Sequence, residues 1–444
     1  MGYATGSAGC SRVRFIDLEK TLRYIIASMV LLAPASTLIV RGGTGYCFFV
    51  LLAIALFARF SKPFRLKASL LVTAYPWYTV AMLGFMVYLP FQQALEGYFL
   101  PREFDGLSRF ALALPIFLLL VNVPIKYLKP LGWGCAIGTI GAGAWAVDSA
   151  IHMTVTELNR LGNDFTNPIP YGNTALLLGF LSVMTIRWDN YSSALLRRLG
   201  IGLKVFGFIA GLYASYLSGT RGGWLAIPLF LMLCSLNFGW VRLCRHWIAA
   251  LGVVVLAMAA LLLASPNGRD RLRQTQSDIV RLAHGSAAPE SSIGARLQLW
   301  RASIHLFEEH PLLGVGKGHL KSQLQTLADA SEISPLVVNQ RAHSEFFSTI
   351  AELGAAGVVC LALVYFGPLV YFLRYRKSPN RDVSTAAYCG IAVSGSVIIF
   401  GLSIDVLTVV MSTALIALFW AVLLAVITHD ARVPKGKPNH GSIG

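Results

Sequence analysis

The stretch from Arg341 to Gly357, RAHSEFFSTIAELGAAG, holds the side chain in this sequence best suited to proton chemistry. His343 stands where a long polar segment, about 265–340, meets an apolar run that starts near Ser344. Two close-packing glycines, Gly354 and Gly357, follow within that run. A histidine has a reference pKa of about 6.5 and can accept a proton near neutral pH. The plainer reading is a histidine at a helix start, bonded to a loop carbonyl. Arginine supplies a second kind of chemistry, because its planar fork suits bidentate contact with phosphate. Arg109 lies in GLSRFALALP, Arg160 in LNRLGNDFTNPIPYG, Arg221 in SGTRGGWLA, and Arg296 and Arg301 flank Trp300. Converging on one cavity, they would bind a pyrophosphate and keep a nearby histidine neutral, ready to accept a proton. Alternatively, they snorkel to headgroups or pair with Glu96, Asp105 or Asp164. Arg221 is the sharpest case, with Gly219, Gly222 and Gly223 leaving room for a ligand at the backbone.

Other chemistries find little support. The carboxylates Glu96, Asp105, Asp164 and Asp405 are scattered, with no DxD-type cluster for a divalent metal. None of the nine histidines makes an HExxH spacing. The seven cysteines form no CxxC pair and fall mostly in apolar runs, which argues against a disulfide framework or a zinc site. If a pyrophosphate is the leaving group, arginines must neutralise the developing charge.

The elements that must position these residues are membrane helices. The chain has 444 residues, 55% hydrophobic and only 13% charged, against about 25% charged in soluble domains. Apolar runs long enough to cross a bilayer recur throughout. Twelve spans are expected, at about 22–40, 45–58, 68–89, 108–122, 131–151, 170–186, 203–218, 224–239, 247–264, 344–373, 386–403 and 406–428. The run near Leu22 lacks a cleavage site and reads as a retained anchor. Pro368 is expected to kink or end the tenth span. With the N-terminus cytoplasmic, the inner segments carry 23 of the 37 Lys and Arg, and the short outer loops only five. By the positive-inside rule both termini are then cytoplasmic, and His343 faces outward. Most of the net charge of +16 is therefore a topology signal, not a nucleic-acid footprint.

The expected fold is an all-α polytopic membrane protein with one large, mostly helical outer loop. Residues 1–264 form the first nine spans, 265–342 the loop subdomain, 343–428 the last three spans and 429–444 a cytoplasmic tail. Within the loop, Leu297, Trp300, Ile304 and Phe307 recur at spacings of three and four, one face of an amphipathic helix. HPLLGVGKGH then reads as tight turns.

Together these features resemble the O-antigen ligase/polymerase superfamily of bacterial membrane glycosyltransferases. His343-Ser344, nine residues, then Gly354-Ala355-Ala356-Gly357 looks like the ligase signature H-[NSQ]-x9-G-x-x-G. RLQLWRASIHLFEEHPLLGVGKGH resembles the R-x3-W…HP-L-x-G-x-G block that precedes the histidine, and SGTRGG the arginine turn before the middle spans. The resemblance implies a GT-C-like membrane glycosyltransferase without cofactor. It implies transfer of an O-antigen glycan from undecaprenyl pyrophosphate to a sugar hydroxyl of lipid A–core. The reaction would be inverting and metal-independent, at the periplasmic face of the inner membrane. His343 matches the catalytic histidine, and Arg221 and Arg296 match arginines that face the pyrophosphate. Arg109 and Arg160 match less distinctively. The same motifs leave open an O-antigen polymerase, with a lipid-linked acceptor, or a protein O-oligosaccharyltransferase. A transporter of lipid-linked glycan would instead line a path with its arginines.

Overall fold

The computed structural model describes residues 7–58, 68–152, 160–240 and 292–432. The expected ninth span, 247–264, the start of the expected outer segment and most of the tail lie outside these residues. All regular elements among the described residues are helical. In chain order they are α1 (Ser7–Ser36), α2 (Gly43–Ala58), α3 (Ser69–Thr73), α4 (Pro76–Leu95), α5 (Asp105–Leu120), α6 (Pro130–His152), α7 (Pro168–Met184), α8 (Ala194–Leu217), α9 (Ile227–Asn237), α10 (Ser292–Glu309), α11 (Leu320–Asp329), α12 (Glu345–Tyr375), α13 (Arg381–Gly401) and α14 (Val410–Arg432).

A helix overlaps each of the eleven expected spans within the described residues. Among the described residues, five segments are long and apolar enough to cross a membrane: Ile125–His152, Pro168–Trp188, Glu345–Tyr375, Arg381–Gly401 and Val410–His429. Gly43–Ala58 and Arg221–Asn237 are apolar but shorter. The third expected span is split at Pro76 into α3 and α4. Proline lacks the amide to continue a helix yet suits the first helical position.

The hub of the bundle is α14. It is apolar on every side, and such a helix is buried by its neighbours. Trp420 at its middle is fully buried. Its indole N–H donates to Ser394 Oγ of α13 at 3.0 Å, so the one polar atom of the ring is satisfied. Around α6 the helices approach through small residues. Gly138 packs on the backbone of Pro34 in α1, Gly143 on Ala210 in α8, and Gly211 of α8 on the carbonyl of Ala175 in α7. Such contacts suit membrane helices, where close van der Waals packing drives association.

The two ends of the bundle differ. At one, Lys129 pairs with Asp382 at 2.9 Å and Trp188 donates to the Asp382 carbonyl at 3.0 Å. At the other end Gly106 of α5 abuts the Leu407 carbonyl, Gly222 abuts Ser403, and the Leu407 amide donates to Glu345 at 2.8 Å. The α10–α11 region joins this second end. A separate apolar cluster unites Leu299 and Leu306 of α10, Leu320 and Leu324 of α11, and Val337 and Ala342 beyond them. The face α10 buries is not the one its large residues mark. Ala295, Leu299, Ala302 and Leu306 turn inward, while Ile304 is 44% exposed. On this face α10 packs chiefly against α12.

Candidate active site

The site is built around a break in α12. Gly354 has φ +60° and ψ −160°, outside helical space, so the helix stops there and restarts. Pro368, the residue expected to disturb this helix, lies inside a segment that continues to Tyr375. The HPLLGVGKGH turn fills the gap at the break. Ala355 donates to the carbonyl of Pro311 at 2.9 Å and Ala356 to that of Leu312 at 3.2 Å. In return, Val315 and Gly316 donate to the carbonyls of Ala351 and Glu352 at 2.9 and 3.1 Å. The backbone groups that the break frees are thus satisfied by the turn. Only glycine fits at 354, since a Cβ there would stand 2.6 Å from the amide of Gly314. Gly357 serves the same bend, because a side chain there would meet Leu353. The two glycine-rich stretches of the sequence are one structural unit.

His343 lies at the mouth of this unit, half-buried, just before α12. Its φ is +49°, in the left-handed region that non-glycine residues rarely occupy. Trp300 of α10 donates its indole N–H to the carbonyl of Ala342 at 2.9 Å. The same indole stacks on Phe347, with ring centroids 4.8 Å apart. Burial pushes the His343 pKa below its ordinary value. The charges of Arg296 and Arg341 push the same way, while Asp405 opposes them. The imidazole is therefore neutral at neutral pH and can accept a proton.

The arginines divide. Arg296 faces His343 closely enough to act on it electrostatically. It is itself held below the usual arginine value by burial and by Arg160. Arg296 Nε is buried with no hydrogen-bond partner among the described residues. Arg160 runs along Gly219, two residues before Arg221, so that its Cδ would lie 3.6 Å from a Cβ at that glycine. Arg221 is exposed at the start of a short 3-10 helix. Arg296 thus lies beside His343, with Arg160 acting on Arg296 in turn and the Arg221 turn adjoining Arg160. The glycines flanking Arg221 have a different role from the ligand access expected of them. Gly222 is packed against Ser403 and Gly223 against Asn173, which leaves no room for a side chain at either position.

Arg109 and Arg301 stand apart. The guanidinium of Arg109 bonds Asp105 at 2.8 Å and lies 4.6 Å from the centre of the Phe49 ring. Arg301 is exposed; five residues beyond Arg296, it lies roughly 140° round the helix.

A buried ionic network went unmarked in the sequence. Arg341 bonds Glu352 at 3.0 Å and also Asp405. Glu352, 1% exposed, accepts from Lys317 of the glycine-rich turn. Asp405 accepts from Ser348 at 2.9 Å. The legible signal was Glu345 and Glu352 inside an apolar run, since carboxylates at such positions have partners.

Residues 206–362 match the family described as O-Antigen ligase. The chain is also 24% identical over 396 residues to an uncharacterized protein of Haemophilus influenzae, covering 84% of this chain and 91% of that one. The matched family segment contains Arg221, Arg296, Arg301, His343 and both glycines of the α12 break. It identifies that part of the chain as a domain of the O-antigen ligase superfamily.

Proposed function

We propose that this protein is an O-antigen ligase. It transfers an O-antigen glycan from undecaprenyl pyrophosphate to a sugar hydroxyl of lipid A–core at the periplasmic face of the inner membrane. The observation that carries this reading is the pairing of a neutral His343 with Arg296, whose buried Nε has no partner among the described residues. A buried donor left unsatisfied is costly, and a phosphate oxygen would satisfy it with a charge-assisted bond. Arg160 and Arg221 add positive charge on the same side.

In the reaction His343 takes the proton of the acceptor hydroxyl. The oxygen attacks the anomeric carbon from the face opposite the pyrophosphate. The bond from that carbon to the pyrophosphate oxygen breaks, its electron pair leaves with the phosphate, and the configuration inverts. Arg296, Arg160 and Arg221 stabilise the negative charge that develops on the leaving group, so no metal is required. Arg109, committed to Asp105, and Arg301, on another face, stand outside this machinery.

The test is to incubate purified protein with undecaprenyl-pyrophosphate-linked glycan and lipid A–core, and to separate the products on a gel. Glycan on lipid A–core supports a ligase. Longer lipid-linked chains with untouched core would mean a polymerase, and no product from folded protein would favour transport or a protein acceptor.

A further inference from the structure

A left-handed φ at His343 persists only where the surroundings over-determine it. The ties on either side are unequal. After His343, the carbonyl of Ser344 accepts from Ser348 at 3.0 Å in an ordinary first helical turn. Before it, Trp300 holds the Ala342 carbonyl, and Arg341 reaches two acids on different elements. Glu352 belongs to the last turn of α12 before the break, and Asp405 to the connection between α13 and α14. Through Glu352 and Lys317 the same guanidinium is joined to the glycine-rich turn. Three elements are thus fixed relative to a residue two positions from the histidine.

We infer that Arg341 is a positioning residue for His343, with Glu352 and Asp405 as its anchors. The inference rests on the glycan-transfer reading for its rate consequences, and on the bonded frame of Arg341 with the charges facing His343 for its effect on the imidazole. An ionic network of this kind could exist merely to hold the fold. The difference is that Arg341 and Asp405 also face the imidazole with opposite charge. The charged groups around His343 are Arg296 from α10, Arg341 from its own loop and Asp405 from the α13–α14 connection. Behind them Arg160 faces Arg296, and Glu345, Glu352 and Asp405 face Arg341. Removing Arg341 takes away one cation and leaves Asp405 acting on His343 unopposed by its partner. The protonated imidazole is then favoured.

The experiment measures two quantities against pH in the full-length protein in detergent. One is kcat for glycan transfer. The other is the rate at which diethyl pyrocarbonate modifies His343, followed by peptide mass spectrometry, which reports the neutral imidazole without reference to activity. Arg341→Gln is expected to lower kcat about 10²-fold, the scale of a displaced catalytic group, with the KM for donor little changed. Both pH profiles should move to higher pH together. Arg341→Lys keeps the charge but not the fork. Its profiles should stay with the native protein while kcat recovers only in part. If Arg341→Gln does not fold, Arg341→Gln with Asp405→Asn removes both members of the pair. That variant should keep the low kcat with profiles returned toward native. Folded Arg341 variants with native kcat and native profiles would overturn the inference, as would a low kcat with an unmoved modification profile. Native protein that transfers no glycan would remove the ligase reading, and the modification profile would still decide whether Arg341 sets the state of His343.

Discussion

The indole N–H of Trp300 donates to the carbonyl of Ala342 at 2.9 Å, one peptide bond from His343. Its ring lies nearly parallel to that of Phe347, at an interplanar angle of 14°. One side chain of α10 thus grips the strained loop and the first turn of α12 together. The R-x3-W spacing places Arg296 one helical turn before Trp300, so the proposed pyrophosphate contact and the histidine support come from the same helix. Trp300→Phe keeps the stacking and removes the donor. It should lower the unfolding free energy by about 0.5–1.5 kcal/mol and slow transfer about tenfold, measured by thermal unfolding and initial rates. Native rates in a variant with the expected loss of stability would confine Trp300 to a structural part.

The depressed pKa of His343 gives the pH dependence a definite sign. The base must be neutral to act, and its folded value lies below the ordinary 6.5. Transfer should therefore hold through neutral pH and fall only on acidification below about 6.5, as the imidazole charges. The unfolded chain binds this proton more readily, so acid also weakens the fold through the same window. A rate profile whose acid limb lies above 6.5 would contradict the assignment.

Gly354→Ala tests the broken helix. The residue has a positive φ of 60° with ψ −160°, and a Cβ would stand 2.6 Å from Leu312 and Gly314 backbone atoms. Strain of order 1–3 kcal/mol is expected from the dihedrals alone, with the backbone clash added. The variant should unfold at a clearly lower temperature in detergent and lose activity. Native stability and activity together would mean that the turn can leave the break without consequence.

These residues also mark how far the sequence could be read. The helices were legible because apolar runs of bilayer length have one common solution, and most ends fell close to expectation. Pro76 was a visible breaker. Pro368 does not end the helix, since a membrane helix can carry proline while its neighbours accommodate the freed carbonyl. The break at Gly354 is a tertiary event, created by a turn some forty residues earlier, and no local pattern announces it. His343 and Arg296 were singled out by type and spacing, and the structure brings them together. Arg109 was not separable from them by type, and only its contact with Asp105, one turn away, sets it apart. Arg341 and Asp405 lie 64 positions apart, so their pairing is visible only in space.

The proposed reliance on arginines rather than a divalent cation has its own consequence. Transfer in excess EDTA should match transfer without it, measured by product formation over the same interval. Activity lost to EDTA and restored by Mg²⁺ would refute leaving-group stabilisation by Arg160, Arg221 and Arg296 alone.

The most direct test of the account compares native protein and His343→Ala in the transfer of glycan from undecaprenyl pyrophosphate to lipid A–core, each shown to be folded by its thermal transition. The account predicts product from the native chain and a loss of about 10²–10⁴-fold in the variant, the usual range for removal of a general base. A folded variant that transfers glycan at the native rate would contradict it, and would leave His343 a structural residue at the head of α12.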